Sequence, residues 1–288
     1  MPNTTCDLHM HSYYSDGCNS PADLLHFAAD MGIKTLALTD HDSLAGQAEA
    51  QHVADRLGLE LIPGLELTTT WEGGAGVQIA DVLGYYFDPN HPALLETCQQ
   101  ARQDFEARVF QACQVLADRG IYLSFHELLD QNPRYPGPGQ MIQALIQNGQ
   151  AADWMAGYTL YRQVWSQIPL PHLKFAEGIA ALHAAGGVAV LAHPVSMRGQ
   201  SGLLEADELA QMAAAGLDGL ETEHPRLNPA ERVHFRVLAA QFDLAVSGGS
   251  DEHGWNGGFT RLGSELVTYE MVHELGKRAE RRAAENAS

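Results

Sequence analysis

The sequence predicts an α/β protein: a mostly parallel sheet or barrel of βα units, broken by a helical insertion. Three features predict it. Short apolar runs alternate with helical segments, many of which stop at glycine, and residues 93–171 lose that rhythm. Five apolar runs also end in histidines or carboxylates, as strands do when they converge on one face of a barrel.

The units follow in order. A helix over residues 22–31 stops at Gly32 and leads into the buried-strand run Thr35-Leu36-Ala37-Leu38-Thr39. A helix over 43–57 stops at Gly58, ahead of a strand Glu60-Leu61-Ile62-Pro63. A helix over 174–185 ends in Gly186-Gly187 before Val188-Ala189-Val190-Leu191-Ala192. Residues 204–215 and 230–242 then precede the runs Gly219-Leu220-Glu221 and Leu244-Ala245-Val246-Ser247. Between these units, residues 93–171 read as helices joined by turns, with a Pro/Gly cluster at 132–139. The expected division is a barrel of residues 1–92 and 172–288, with 93–171 as a helical insertion forming a substrate lid.

Composition narrows the function. The chain has 288 residues, 45% hydrophobic and 18% charged, which suits a large buried core and excludes wholesale disorder. Its formal charge of −19 argues against tight binding to long nucleic acid, because such a surface repels phosphate backbones. No apolar run reaches the roughly 18 residues of a membrane span. The start MPNTTCDLHMHS lacks the basic and apolar regions of a signal peptide, so a cytoplasmic location is expected. Cys6, Cys18, Cys98 and Cys113 are scattered and read as free thiols rather than a zinc knuckle.

The ends of the strands carry the chemistry. The first ends in Asp7-Leu8-His9-Met10-His11, where a period of two puts His9 and His11 on one side, able to chelate one ion. The next ends in Thr39-Asp40-His41-Asp42, with Asp42 expected to cap the following helix. Others lead to Glu66, to His193-Pro194 and to Asp251-Glu252-His253, while His224 follows a strand and can face the same site. Histidine nitrogen mixed with carboxylate oxygen, without cysteine, suits Mn²⁺, Fe²⁺ or Zn²⁺ in an open catalytic site. Two or three such ions about 3.5–4 Å apart would clamp a displacement at phosphorus.

The set Asp7-Leu8-His9-Met10-His11-Ser12, Ser15-Asp16-Gly17, Leu38-Thr39-Asp40-His41-Asp42, Pro63-Gly64-Leu65-Glu66, Ala192-His193-Pro194 and Gly248-Gly249-Ser250-Asp251-Glu252-His253-Gly254 resembles the PHP (polymerase and histidinol phosphatase) family of metal-dependent phosphoesterases over nearly the whole chain. The resemblance implies a distorted (β/α)7 barrel. It implies that His9, His11, Glu66 and Asp251 surround one metal, that Asp16, His41 and His253 surround a second, and that Glu66 and His193 help hold a third. Relatives often carry an I-H-x-x-G segment, and here Ile79-Ala80-Asp81-Val82-Leu83-Gly84 puts Asp81 in the histidine's place, as a further ligand. Relatives also commonly show an Arg-Pro-His element where this chain has Pro138-Gly139-Gln140, which points to Arg134 as the phosphate grip, with Arg102 and Arg198 as further candidates. The insertion resembles the stand-alone branch of nucleoside 3',5'-bisphosphate phosphatases and 5'→3' exoribonucleases, the former more closely.

The expected reaction is removal of the 3'-phosphate from a nucleoside 3',5'-bisphosphate, such as adenosine 3',5'-bisphosphate, by metal-bound hydroxide. Manganese is the first choice of metal, two or three per chain, and His193 or His253 is the candidate acid for the leaving group. The alternatives are a 5'→3' exoribonuclease on short 5'-phosphorylated RNA, or another small phosphomonoesterase. A lysine-bridged C–N hydrolase is disfavoured because no lysine lies in these motifs, and a metal-dependent binding module because so many ligands remain.

Overall fold

The structure, a computed structural model, describes residues 6–74, 76–131, 135–195, 203–255 and 261–286, so Arg134 and Arg198 lie outside the described residues. Its elements run β1 (Cys6–Asp7), α1 (Pro21–Asp30), β2 (Thr35–Leu38), α2 (Gln47–Leu57), β3 (Glu60–Gly73) and β4 (Gly76–Tyr85). Four helices follow, α3 (Pro92–Asp118), α4 (Phe125–Gln131), α5 (Pro138–Gln147) and α6 (Trp154–Trp165). The βα rhythm then resumes with α7 (Phe175–Ala184), β5 (Val188–Leu191), α8 (Ala206–Ala214), β6 (Gly219–Glu223), α9 (Pro229–Gln241), β7 (Ala245–Gly248) and α10 (Tyr269–Asn286).

The seven strands lie side by side in sequence order. The residues just beyond β1 close the sheet on those beyond β7: the Leu8 N–H donates to the Gly248 carbonyl at 3.3 Å, the Asp251 N–H to His9 at 2.8 Å and the His11 N–H to Glu252 at 2.9 Å. The result is the expected distorted barrel. Its distortion is local, because β4 runs antiparallel to both β3 and β5 while the other pairs are parallel. No crossover helix separates β3 from β4, and without one two neighbouring strands can only run antiparallel.

Two expectations are corrected here. β3 does not stop at Pro63 but runs on to Gly73, so Glu66 stands inside the strand rather than at its end. The run Thr68-Thr69-Thr70-Trp71, β-branched and aromatic, extends the strand. Asp42 does not cap α2, which begins only at Gln47 after Gly46. Its Oδ1 instead accepts the Thr68 N–H at 2.9 Å, tying the β2 exit to β3.

Helix α3 is 27 residues long, about 40 Å at the usual rise per residue, and joins two cores. Its first half buries Leu94 and Cys98 in the barrel's apolar cluster. Its second half buries Phe105, Val109, Ala112 and Leu116 in a separate cluster shared with α4, α5 and α6. Among the described residues no helix is long and apolar enough to cross a membrane.

Candidate metal centre

The exit of β1 shows why the centre forms. Alternation turns Leu8 and Met10 into two apolar clusters and leaves His9 and His11, both fully buried, on the opposite side. Their Nε2 atoms are 3.1 Å apart. Glu66 brings Oε2 to 3.0 Å from His9 Nε2 and 3.2 Å from His11 Nε2, and Asp251 brings Oδ1 to 3.6 and 3.4 Å of the same atoms. Nitrogen and oxygen donors thus converge on one point from three strands.

A second group lies beside the first. His11, Asp16, His41 and His253 offer donor atoms that all fall within 4.8 Å of one another. The His11 ring stacks between His41, with centroids 4.8 Å apart, and His253, at 4.2 Å. His253 Nδ1 is 2.9 Å from the Asp251 carbonyl, which can only accept, so Nδ1 carries the proton. In the neutral ring the lone pair is then on Nε2, 3.2 Å from Asp16 Oδ1.

The third group is His9, Glu66 and His193, in which Glu66 Oε1 is 2.9 Å from His193 Nε2. Asp81 joins it by register. It pairs with Thr68 across the β3–β4 hairpin, two residues along from Glu66, so both carboxylates project from the same face. Its Oδ2 is 3.9 Å from His193 Nε2. All nine residues expected as ligands therefore come together.

Sequence reasoning missed Glu221. It is fully buried in the middle of β6, with Oε1 2.9 Å from His9 Nδ1 and Oε2 accepting the His193 N–H at 2.7 Å. The signal was present, since Gly219-Leu220-Glu221 is one more run ending in a carboxylate. His224, the candidate substrate contact, is also fully buried. Its Nδ1 accepts the Arg226 N–H at 3.1 Å, so its Nε2 carries the hydrogen that faces Asp251 Oδ2 at 3.3 Å. The site also gathers unusual backbone: φ is +24° at His193 and +51° at Asp251, a region sparsely populated by residues other than glycine.

The electrostatics fit bound cations. Burial would lower His41 and His253, but neighbouring carboxylates outweigh it and raise them to about 9 and about 10, with Glu66 foremost for His41 and Asp16 for His253. Burial would raise Glu66 and Asp251, yet the surrounding histidines hold both well below the ordinary carboxylate range. Asp81 stays raised by burial and by Glu66 beside it. His11 Nδ1, Asp16 Oδ1 and Asp81 Oδ1 are buried without a hydrogen-bond partner. A buried set of imidazoles and carboxylates with orphaned donor atoms is what divalent ions would complete.

Above the centre opens a cleft of about 390 Å³, with Asp16, Asp251 and His253 on one side and Pro138, Trp154 and Tyr158 from α5 and α6 on the other. Trp255 joins the two sides, its Nε1 donating to the Asp16 carbonyl at 2.6 Å. Helix α5 can lie against this indole only because residue 139 is glycine; an added Cβ would meet the ring at 2.0 Å. Arg102 is on α3, where it pairs with Glu106 at 2.7 Å and covers the Tyr135 ring. Tyr135 itself is buried against Phe105, in the core of the helices.

The family model described as PHP domain matches residues 7–134. A 5'-3' exoribonuclease of Haemophilus influenzae is 32% identical over 282 residues, spanning 92% of this chain and 96% of its own length. The chain belongs to the PHP family. A 3',5'-nucleoside bisphosphate phosphatase of Chromobacterium violaceum is 29% identical over 86% of each chain. In shape the chain is similar to a Bifidobacterium adolescentis protein described as a metal-dependent phosphoesterase, with a TM-score of 0.84, 30% identity and coverage of 96% and 97%. As a PHP member the chain is a metal-dependent hydrolase of the phosphoesterase kind, and the clustered His, Asp and Glu side chains are suited to divalent ions.

Proposed function

We propose that this PHP protein removes the 3'-phosphate from nucleoside 3',5'-bisphosphates, yielding the nucleoside 5'-monophosphate and phosphate. The observation that carries the reading is the confluence of nine buried or partly buried ligand-type side chains beneath a cleft of about 390 Å³ walled by aromatic rings. That volume suits one nucleotide rather than a polymer. The similarity to a 3',5'-nucleoside bisphosphate phosphatase agrees with it.

His9, His11, Glu66 and Asp251 would hold one ion, Asp16, His41 and His253 a second, and Glu66, His193 and Asp81 a third. Bound Mn²⁺, Fe²⁺ or Zn²⁺ would supply Lewis acidity toward the phosphoryl oxygens and an activated water. His253, with a proton held on Nδ1 by the Asp251 carbonyl, would serve as a ligand through Nε2. For His193, burial favours the neutral ring, but the hydrogen bond to Glu66 outweighs it and raises its pKa, so while the third position is empty this ring can give a proton to the departing 3'-oxygen. Residues 93–171, which share a separate core from Phe105 onward, act as the lid over the barrel formed by 1–92 and 172–288, and Trp154 and Tyr158 face the base.

A second reading, exonuclease action on short 5'-phosphorylated RNA, is favoured by the similarity to the Haemophilus influenzae enzyme. One assay separates the two. The protein is loaded with Mn²⁺, its metal content is measured, and phosphate or nucleotide release is followed from nucleoside 3',5'-bisphosphates, 5'-phosphorylated dinucleotides and histidinol phosphate. Highest kcat/KM on the bisphosphate is expected. Preference for the dinucleotide would replace the phosphatase reading by the exonuclease one, and turnover of none of them, with two or more ions bound, would sink both.

A further inference from the structure

The cleft is acidic where it meets the centre, through Asp16, Asp251 and Glu252, and among the described residues its lining arginines are Arg226 and Arg261. Neither belongs to the helices above the cleft. Arg226 leaves the β6–α9 connection with its N–H bonded to His224 Nδ1 at 3.1 Å and its Nη2 3.9 Å from Asp251 Oδ2. Its side chain is 57% exposed, so the guanidinium remains in reach of a ligand. Arg261 is anchored by its N–H to Glu252 Oε2 at 2.9 Å, and the other oxygen of Glu252 accepts the Gly254 N–H at 2.6 Å. Arg261 is thereby fixed, at the backbone, to the segment that carries Asp251 and His253, and Arg226 to His224, whose ring faces Asp251.

A substrate with two phosphates places one at the metal ions and must find cations for the other. In a chain of net charge −19 those cations have to be local, and a guanidinium can grip phosphate through two parallel hydrogen bonds. We propose that Arg226 and Arg261 grip the second, non-reacting phosphate of the substrate, while Trp154, Tyr158 and Trp255 receive the planar base. The assignment rests on the phosphatase reading above and gives it its specificity: the arginines select a nucleotide phosphorylated at both ends over one phosphorylated only at the reacting position. It also moves the grip from the helical lid to the barrel, so that the distance between the two phosphates is measured from the metal ligands themselves.

The test uses the Mn²⁺-loaded protein and the variants Arg226→Ala, Arg261→Ala and the double variant, each checked for unchanged metal content. The preference for a nucleoside 3',5'-bisphosphate over the matching 3'-monophosphate, as a ratio of kcat/KM values, should collapse by about 10- to 100-fold, carried mainly by KM, since a phosphate loses charge-assisted hydrogen bonds. Arg226→Lys should restore part of it. Binding of nucleoside 5'-monophosphate, the product that keeps the gripped phosphate, should weaken in calorimetry by a similar factor. Equal losses on both substrates, or product binding that the double variant leaves unchanged, would overturn the grip. If the wild type turned over neither substrate the phosphatase reading would fall, while product binding would still judge the arginines.

Discussion

Glu221 holds two parts of the centre at once, with Oε1 2.9 Å from His9 Nδ1 and Oε2 2.7 Å from the backbone nitrogen of His193. The first contact keeps the His9 proton on Nδ1 and turns the Nε2 lone pair toward Glu66 and Asp251. The second supports a residue whose φ is +24°. Glu221→Gln keeps the size but replaces one acceptor oxygen by a donor, so one of the two contacts must fail. Mn²⁺ affinity should weaken by about 10- to 100-fold, read by metal titration of the purified protein. An affinity within twofold of wild type would show that Glu221 does not orient His9.

Ion binding should release protons. Carboxylates raise His41 to about 9 and His253 to about 10, against the opposing effect of burial, so both rings are protonated in the metal-free protein at neutral pH. Ligation removes those protons, and affinity should rise with pH from neutral toward 9 or 10. Calorimetry in buffers of different ionisation enthalpy measures the release directly, and none at pH 7 would contradict it. The sign for stability follows. A raised histidine pKa stabilises the metal-free fold fully below about 6.5 and loses that contribution as pH climbs through 9–10. The Tm of metal-free protein should therefore fall more steeply between pH 6.5 and 10 than that of the Mn²⁺-loaded protein.

Asp81 makes the metal-free site pay a cost. Its Oδ1 is buried without a partner, and burial together with Glu66 disfavours its charged form. Asp81→Asn should stabilise the metal-free protein by about 1 kcal/mol, since a partly buried carboxylate set against Glu66 is replaced by a neutral group. Urea unfolding measures that gain. The same variant should bind one ion fewer per chain by elemental analysis, and an unchanged ion count would remove Asp81 from the ligands.

Much of this was legible in the sequence because it is local. Glycines at 32, 58, 186 and 216 all take positive φ just past their helices, as the stop signals require. The His9/His11 pair follows from the period of a strand alone, and the ligand types followed from side-chain chemistry. The readings that failed were those that depended on a distant partner. Pro63 looked like the end of a strand, but pairing with β4 carries β3 on to Gly73 and leaves Glu66 inside it. Asp42 looked like a helix cap, but its acceptor is taken by Thr68, 26 residues away.

By itself the sequence determined the βα units, the helical segment between them and the residues able to ligate a cation, because spacing and side-chain type act over a few residues. Only the tertiary structure decided that β4 runs antiparallel, that the hairpin register sets Asp81 on the face of Glu66, and that Glu221 backs both His9 and His193. It also put Arg226 and Arg261, 35 positions apart, around one cleft. Strand pairing and barrel closure fix which distant side chains meet, and no local pattern encodes that choice.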